Sequence, residues 1–353
     1  MSEVRHERPG VYSVYDASAV VTAGRGSKTV GVAAKALRGT VGEAVILTGY
    51  AAGVNAFGED AEAGMSTLLR LLFSNGAATV AAVRVADEGA LADYQAAFDV
   101  LGKQDVQIVV CDSADTQVQQ ALRTAVETAS GQRRERIAVV GGSGDTAAQL
   151  VERAAALNSE RMVLVGPDVL GSGGKTLPGV FAAAAVAGVL AAGGDPAVPL
   201  NGAELAGLGG LAEDYGDNDI DLLVRGGVTP LESVAGVISP VRGITTRTTT
   251  GGTVDTTWRE LTTILIVDDI IPSVRSALRS RFTRAKNTAR SRGAIRSQVI
   301  VELEKKMAAE IIDSYGDVSV KASEEDPTVC LVEFGFAVAH GLNQIWLAVH
   351  ITV

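Results

Sequence analysis

The chain has 353 residues, of which 47% are hydrophobic and 20% charged, and its formal net charge is −10. This composition excludes a disordered chain, and the length exceeds one average domain, so two domains are expected. The acidic balance argues against nucleic acid as the partner of the whole surface.

Residues 1–8 are charged and polar with no apolar core behind them, so no secretory signal and synthesis in the cytoplasm are expected. After Pro9-Gly10, the run Val11-Tyr12-Ser13-Val14-Tyr15 alternates as a short strand standing outside any domain. Strand-like runs at 30–36, 44–48 and 78–86 surround one helical segment at 61–74. A regular series follows: helix 90–102, strand 106–112, helix 115–129, strand 136–141, helix 145–157, strand 161–166 and helix 178–193. Near-continuous Val/Ile strands alternating with Ala-rich helices predict a parallel sheet covered on both faces. The longest apolar run, 180–192, falls short of the roughly 20 residues that a membrane span needs, so no membrane partner is expected. Gly193-Gly194-Asp195-Pro196 stops the helix. Short apolar runs come at 221–225 and 234–238, and the Thr/Gly tract 245–257 reads as a hairpin or linker at a domain boundary.

A strand at 260–267 is expected next, ending in Asp268-Asp269, then a helix over 271–292 whose Ile271, Val274, Leu278, Phe282, Ala285 and Ala289 form one apolar stripe. A second helix at 294–314 carries Ile295, Val299, Leu303, Met307 and Ile311, and strands at 318–322, 328–338 and 344–353 complete the unit. In the last strand Ile345, Leu347, Val349, Ile351 and Val353 share one face. An apolar strand at a terminus frays unless a partner sheet holds it, and an unpaired apolar edge is a hazard unless pairing is its purpose. The two ends therefore predict a subunit that exchanges strands with its neighbours. The fold class is α/β: a variable α/β domain at 21–250, an α+β C-terminal domain at 251–343, an N-terminal arm at 1–20 and a C-terminal exchanged strand at 344–353.

Charge is concentrated in one place. Between Pro272 and Arg296 stand eight cations and no acidic residue, which leaves −18 for the rest of the chain. Arg275, Arg279, Lys286 and Arg290 fall beside the apolar stripe of the predicted helix, a basic element on an acidic body. Nucleic-acid binding through this element would call for aromatic residues beside the cations, and only Phe282 is there, on the core face.

The sharpest enzymatic signal is Gly171-Ser172-Gly173-Gly174-Lys175-Thr176, which ends as a phosphate-cradling loop does. Val169 stands where that loop needs its first glycine, and Pro178-Gly179 restarts the chain where Lys175 and Thr176 should open a helix. A nucleotide-binding α/β enzyme built on residues 171–176 is therefore the alternative reading, and a flexible loop the simpler one. Gly141-Gly142-Ser143-Gly144-Asp145 departs from a nucleophile elbow at Asp145 and reads as a turn in which Ser143 or Asp145 caps the next helix. His6, His340 and His350 have no partners at metal-ligand or triad spacing. Adjacent acids in a strand point to opposite faces, so Asp268-Asp269 is read as a surface or turn pair, as is Glu324-Glu325. Cys111 and Cys330, each inside an apolar run, are expected to be buried reduced thiols. No catalytic constellation can be assembled, and no cofactor or metal is expected.

Arg-Pro-Gly-Val-Tyr (8–12), Ala-Val-Ala-Gly-Val-Leu-Ala (185–191), Val-Arg-Gly-Ile-Thr-Thr-Arg-Thr (241–248), Trp258, Asp268, the stretch 282–287 and Ile-Trp-Leu-Ala-Val-His-Ile-Thr-Val (345–353) occur in this order. Together they resemble contractile-tail sheath proteins, nearest to the compact sheaths of myophages and phage-tail-like particles. The resemblance implies a structural subunit that stacks as hexameric rings in a helical polymer around an inner tail tube protein, bounded by baseplate and tail terminator proteins. It implies that Val11, Tyr12, Val14, Ile345, Leu347, Val349 and Ile351 pair with neighbouring chains by strand addition. It also implies that Arg275, Arg279, Lys286 and Arg290 grip an acidic tube and release it on contraction. Such a subunit is assembled in the host cytoplasm and resides in a virion or phage-tail-like particle, and its contraction drives the tube through a target envelope without nucleotide.

Overall fold

The computed structural model describes residues 28–60, 63–171 and 173–343. The strands expected at 11–15 and 344–353 lie outside these residues. In chain order the N-terminal elements are β1 (Thr29–Lys35), β2 (Ala44–Leu47), α1 (Tyr50–Phe57), α2 (Met65–Ser74), β3 (Thr79–Val85) and α3 (Leu91–Leu101). Then come β4 (Ile108–Cys111), α4 (Thr116–Gly131), β5 (Ile137–Gly141), α5 (Ala147–Leu157), β6 (Met162–Gly166), β7 (Val169–Leu170), β8 (Thr176–Leu177) and α6 (Gly179–Ala192). The middle of the chain closes with β9 (Gly210–Leu211), α7 (Asp217–Arg225), β10 (Val228–Val234), β11 (Val237–Pro240), β12 (Thr249–Thr250) and β13 (Thr253–Val254). The C-terminal elements are α8 (Leu261–Phe282), α9 (Ala289–Met307), β14 (Ile312–Tyr315), β15 (Ser319–Ala322), β16 (Cys330–Glu333) and β17 (Phe336–Val338).

An eight-stranded sheet in the order β11-β10-β6-β5-β4-β1-β3-β2 organises the first two thirds. Its six central strands are parallel, and antiparallel β2 and β11 form its edges. Alternation divides the strand residues between two cores. Val30, Val32, Val80, Ile108, Val139 and Val165 face α2 and α6, while Ala33, Val83, Val109, Val140 and Leu164 face α3, α4 and α5. The predicted parallel sheet with helices on both faces is the one observed. The sequence reading missed α1, whose interior Gly53 lowers helix propensity, and β10, whose Pro230 disguises a strand. The apolar run 221–225 belongs to α7, and 234–238 straddles the turn at Ala235 and Gly236.

The largest correction falls on 260–267, which is the first part of α8 and not a strand. Leu261, Ile264, Leu265 and Val267 pack into the first sheet core, whereas Ile266, Ile270, Val274 and Leu278 pack into a third core with Val299, Leu303, Ile312 and Val338. A helix buried between two cores is apolar all round, so its sequence loses the 3.6-residue alternation and imitates a buried strand. The helix then ends at Phe282, ahead of the predicted 292. Thr288 accepts a hydrogen bond from Ser291 N at 3.2 Å and starts α9. The second helix stops at Met307, ahead of the predicted 314, and the strand expected at 328–338 is two strands, β16 and β17.

Candidate functional site

The joint between the sheet and the C-terminal unit is built from charged groups that meet out of water. Arg161, just before β6, donates from Nη1 and Nη2 to Asp268 of α8 at 2.7 and 2.9 Å, with side chains 2% and 13% exposed. Glu135, just before β5, receives Arg275 of α8 through bonds of 2.6 and 3.2 Å, again largely out of solvent. Two forked guanidinium–carboxylate pairs one above the other fix both the position and the rotation of α8 against the amino ends of β5 and β6. The stretch 241–248 straps the same joint: Arg242 pairs with Glu260 at the start of α8, Arg247 with Glu160 at 2.8 Å, and Thr245 Oγ1 donates to Trp258 O at 2.6 Å. Sequence reading missed Glu135, Glu160 and Arg161, which lie far in the chain from the α8 residues and the 241–248 strap they meet.

A cavity of about 420 Å³ lies at this joint, lined by the strand starts Thr29, Ile108 and Ile137 and by Asp268, Asp269 and Pro272 of α8. Folds of this kind take ligands at the opposite, carboxyl ends of the strands, where the strand order reverses between β1 and β4. That position is filled. Asp112 accepts from Lys35 N at 2.9 Å and from the Tyr94 hydroxyl at 2.6 Å, and burial raises its carboxyl pKa.

Gly171 and residues 173–175 turn the chain between β7 and β8, with Thr176 already in β8: Gly171 N donates to Lys175 O at 2.8 Å and Gly174 N to Gly171 O at 2.9 Å. Those amides are spent within the turn and do not line a phosphate. At 141–145, Asp145 accepts from Ser143 N at 3.2 Å and pairs with Arg153 at 2.8 Å, while the cap of α5 is Thr146 with Gln149, a correction to the Ser143 or Asp145 expected there. Asp268 and Asp269 lie on a helix at a buried joint and are not a surface pair. Cys111 is buried, which pushes its thiol up to about 12, and Cys330 is half-buried. Among the described residues no group of three or more His, Cys, Asp or Glu side chains could hold a metal ion, and no helix is long and apolar enough to cross a membrane.

The four cations aligned on one predicted helix do not share one. Arg275 is turned into the joint by Glu135, Arg279 is on the last turn of α8, Lys286 is in the connection, and Arg290 is in the first turn of α9. Arg279, Lys286 and Arg290 are exposed. Among the described residues the C-terminal strands form two-stranded ladders, β14–β17 and β15–β16, with Val320, Val332, Phe334 and Phe336 partly buried against the third core. Val11, Tyr12, Val14, Ile345, Leu347, Val349 and Ile351 are outside the described residues.

Residues 90–246 match the phage tail sheath protein central domain and residues 253–352 the phage tail sheath C-terminal domain. The tail sheath protein of Bacillus phage SP01 is 32% identical over 263 residues, covering 72% of this chain. The chain spans 44% of the length of that relative. Among solved structures, the sheath tail protein of Listeria innocua superposes with a TM-score of 0.73 at 13% identity, over 92% of this chain and 94% of that one. The sheath complex of an extracellular contractile injection system in its contracted state superposes with a TM-score of 0.72 at 16% identity, over 99% of both chains. The fold, the motifs 241–248, Trp258 and Asp268 at the α8 joint and these matches agree, and the chain belongs to the phage tail sheath family.

Proposed function

We propose that this chain is the structural subunit of a contractile tail sheath that polymerises as stacked hexameric rings around an inner tube, without enzymatic activity. The observation that carries this reading is the pair of two-stranded ladders over the third core. Two strands alone are marginally stable in water, and each ladder leaves strand edges unpaired among the described residues. Added strands would complete them, and the apolar alternation of 11–15 and 345–353 suits that role. The domain division at about 250 serves the same end, with the α/β domain as a body carried by the strand-exchanging unit.

Arg279, Lys286 and Arg290 are the surface cations suited to an acidic tube, and Arg275 leaves that set because Glu135 engages it. Contraction would draw on free energy stored at assembly, and the particle's baseplate and terminator would bound the polymer. Negative-stain microscopy of the purified chain, mixed with tubes from the same particle, tests the reading. Long hollow or tube-filled polymers are expected; a chain that stays monomeric with and without tubes contradicts it.

A further inference from the structure

Both ends of the described chain are held by one connection, the segment after α6. That helix ends without a basic residue of its own in the last turn. Lys28 supplies the charge from 162 residues away: its Nζ donates to Leu190 O at 3.3 Å and to Gly193 O at 3.4 Å. A cation at the C-terminal carbonyls of a helix is favoured by their shared negative potential. At the other end, Asn201 Nδ2 donates to Asn343 Oδ1 at 2.8 Å. Gly341 lies so close to Pro199 that a Cβ there would stand 3.0 Å from the proline ring carbons. The segment is itself fixed, since Ala197 packs against the third core and Asn201 accepts from Gly243 N at 3.4 Å.

We infer that residues 193–201 are a shared anchor from which both terminal segments leave the subunit, and that Lys28 and Asn343 are positioning residues for strand addition to neighbouring subunits. The inference rests on the sheath reading. Register is what an exchanged strand must get right, because a slip of one residue turns every side chain to the opposite face. Holding the root of the strand limits the register it can take. The strand expected from the sequence at 344–353 would follow directly after Asn343, whereas residues 16–27 separate Lys28 from the one expected at 11–15. Loss of the Asn343 contact should therefore disturb pairing more than loss of the Lys28 contact. The Lys28 contact still shortens the tether that confines its strand near the neighbour.

The test compares full-length parent, Lys28→Met, Lys28→Arg, Asn201→Ala and Asn343→Ala. Thermal unfolding is followed at a concentration that keeps the chains monomeric, and polymer growth by light scattering and electron microscopy. Lys28→Met, Asn201→Ala and Asn343→Ala should melt within about 2 °C of the parent yet polymerise about tenfold more slowly, the scale of one lost hydrogen bond. Asn343→Ala should be the slower of the two chain-end changes, and Lys28→Arg should restore the parental rate. Parental growth rates in Lys28→Met and Asn343→Ala would overturn the inference. So would a lowered melting temperature in Lys28→Met that Lys28→Arg repairs without repairing polymerisation. Failure of the parent itself to polymerise would count against the sheath reading and remove this inference with it.

Discussion

The guanidinium of Arg161 and the carboxylate of Asp268, 107 residues apart in sequence, meet through two parallel hydrogen bonds at the joint between the sheet and α8. Coulomb attraction is offset by the cost of taking both charges out of water, so the pair is weak evidence for stability as such. Its geometry matters more. A forked pair tolerates one distance and one plane, and together with Glu135 and Arg275 it allows α8 one register on the strand ends.

Removing one partner leaves the other buried and uncompensated, so Asp268→Ala should destabilise the monomer by about 3–5 kcal/mol in chemical denaturation. The double change Arg161→Met with Asp268→Leu should recover most of that loss. A single change costing under about 0.5 kcal/mol would show that the pair is not held as described.

Arg275 and Arg279 are one helical turn apart and should behave oppositely. Arg275→Ala removes the Glu135 partner and should lower monomer stability by about 1–3 kcal/mol. Arg279→Glu with Lys286→Glu should leave the melting temperature within about 2 °C of the parent while abolishing assembly on tubes, because exposed charges contribute little to folding. Normal tube-filled particles from that double variant would remove these cations from the tube contact.

How much of this was legible in the sequence differs by region. The strands at 108–111, 137–141 and 162–166 were plain, because a strand buried on both faces is continuous in Val and Ile, and α4 and α5 between them carry ordinary apolar stripes. The start of α8 was not. Its Leu261–Val267 run contains Thr262, Thr263, Ile264, Ile266 and Val267, which favour strands locally, and only burial against two separate cores makes it a helix. The joint was half legible: Trp258, Asp268 and 241–248 stood out as motifs, yet their partners Glu135, Glu160 and Arg161 lie far away in the chain, where no local pattern names them. The alignment of Arg275 with Arg290 failed because Asn287, whose Nδ2 donates to Pro327 O at 2.8 Å, and Thr288, which caps α9, break the helix between them.

Asp269 gives the joint a dependence on pH. Burial lifts its carboxyl to about 6, against the pull of Lys306 and Lys28 and with a smaller push from Asp195 and Asp268. The unfolded value is about 3.9, so the folded chain holds the proton more tightly. The stability this contributes is complete below about pH 4 and is lost as pH rises through about 6. Asp269→Asn should therefore match the parent near pH 4.5 and exceed it near pH 7.5 by on the order of 1 kcal/mol, a figure reduced for partial solvent screening. The same difference at both pH values in denaturant titrations would contradict this.

The hairpin at 171–176 predicts an absence of nucleotide chemistry that can be separated from folding. Lys175→Ala should leave stability, polymerisation and contraction at parental levels, since its backbone and not its side chain closes the turn. Nucleoside triphosphate turnover by the parent that vanishes in this variant would reopen the enzymatic reading.

The central claim is that terminal strands complete sheets in neighbouring subunits, and it is tested most directly by electron microscopy of the full chain beside a chain ending at Asn343. The full chain should form long hollow polymers, while the shortened chain should remain a folded monomer with the circular dichroism of the parent. Polymers of normal length from the shortened chain would contradict the account.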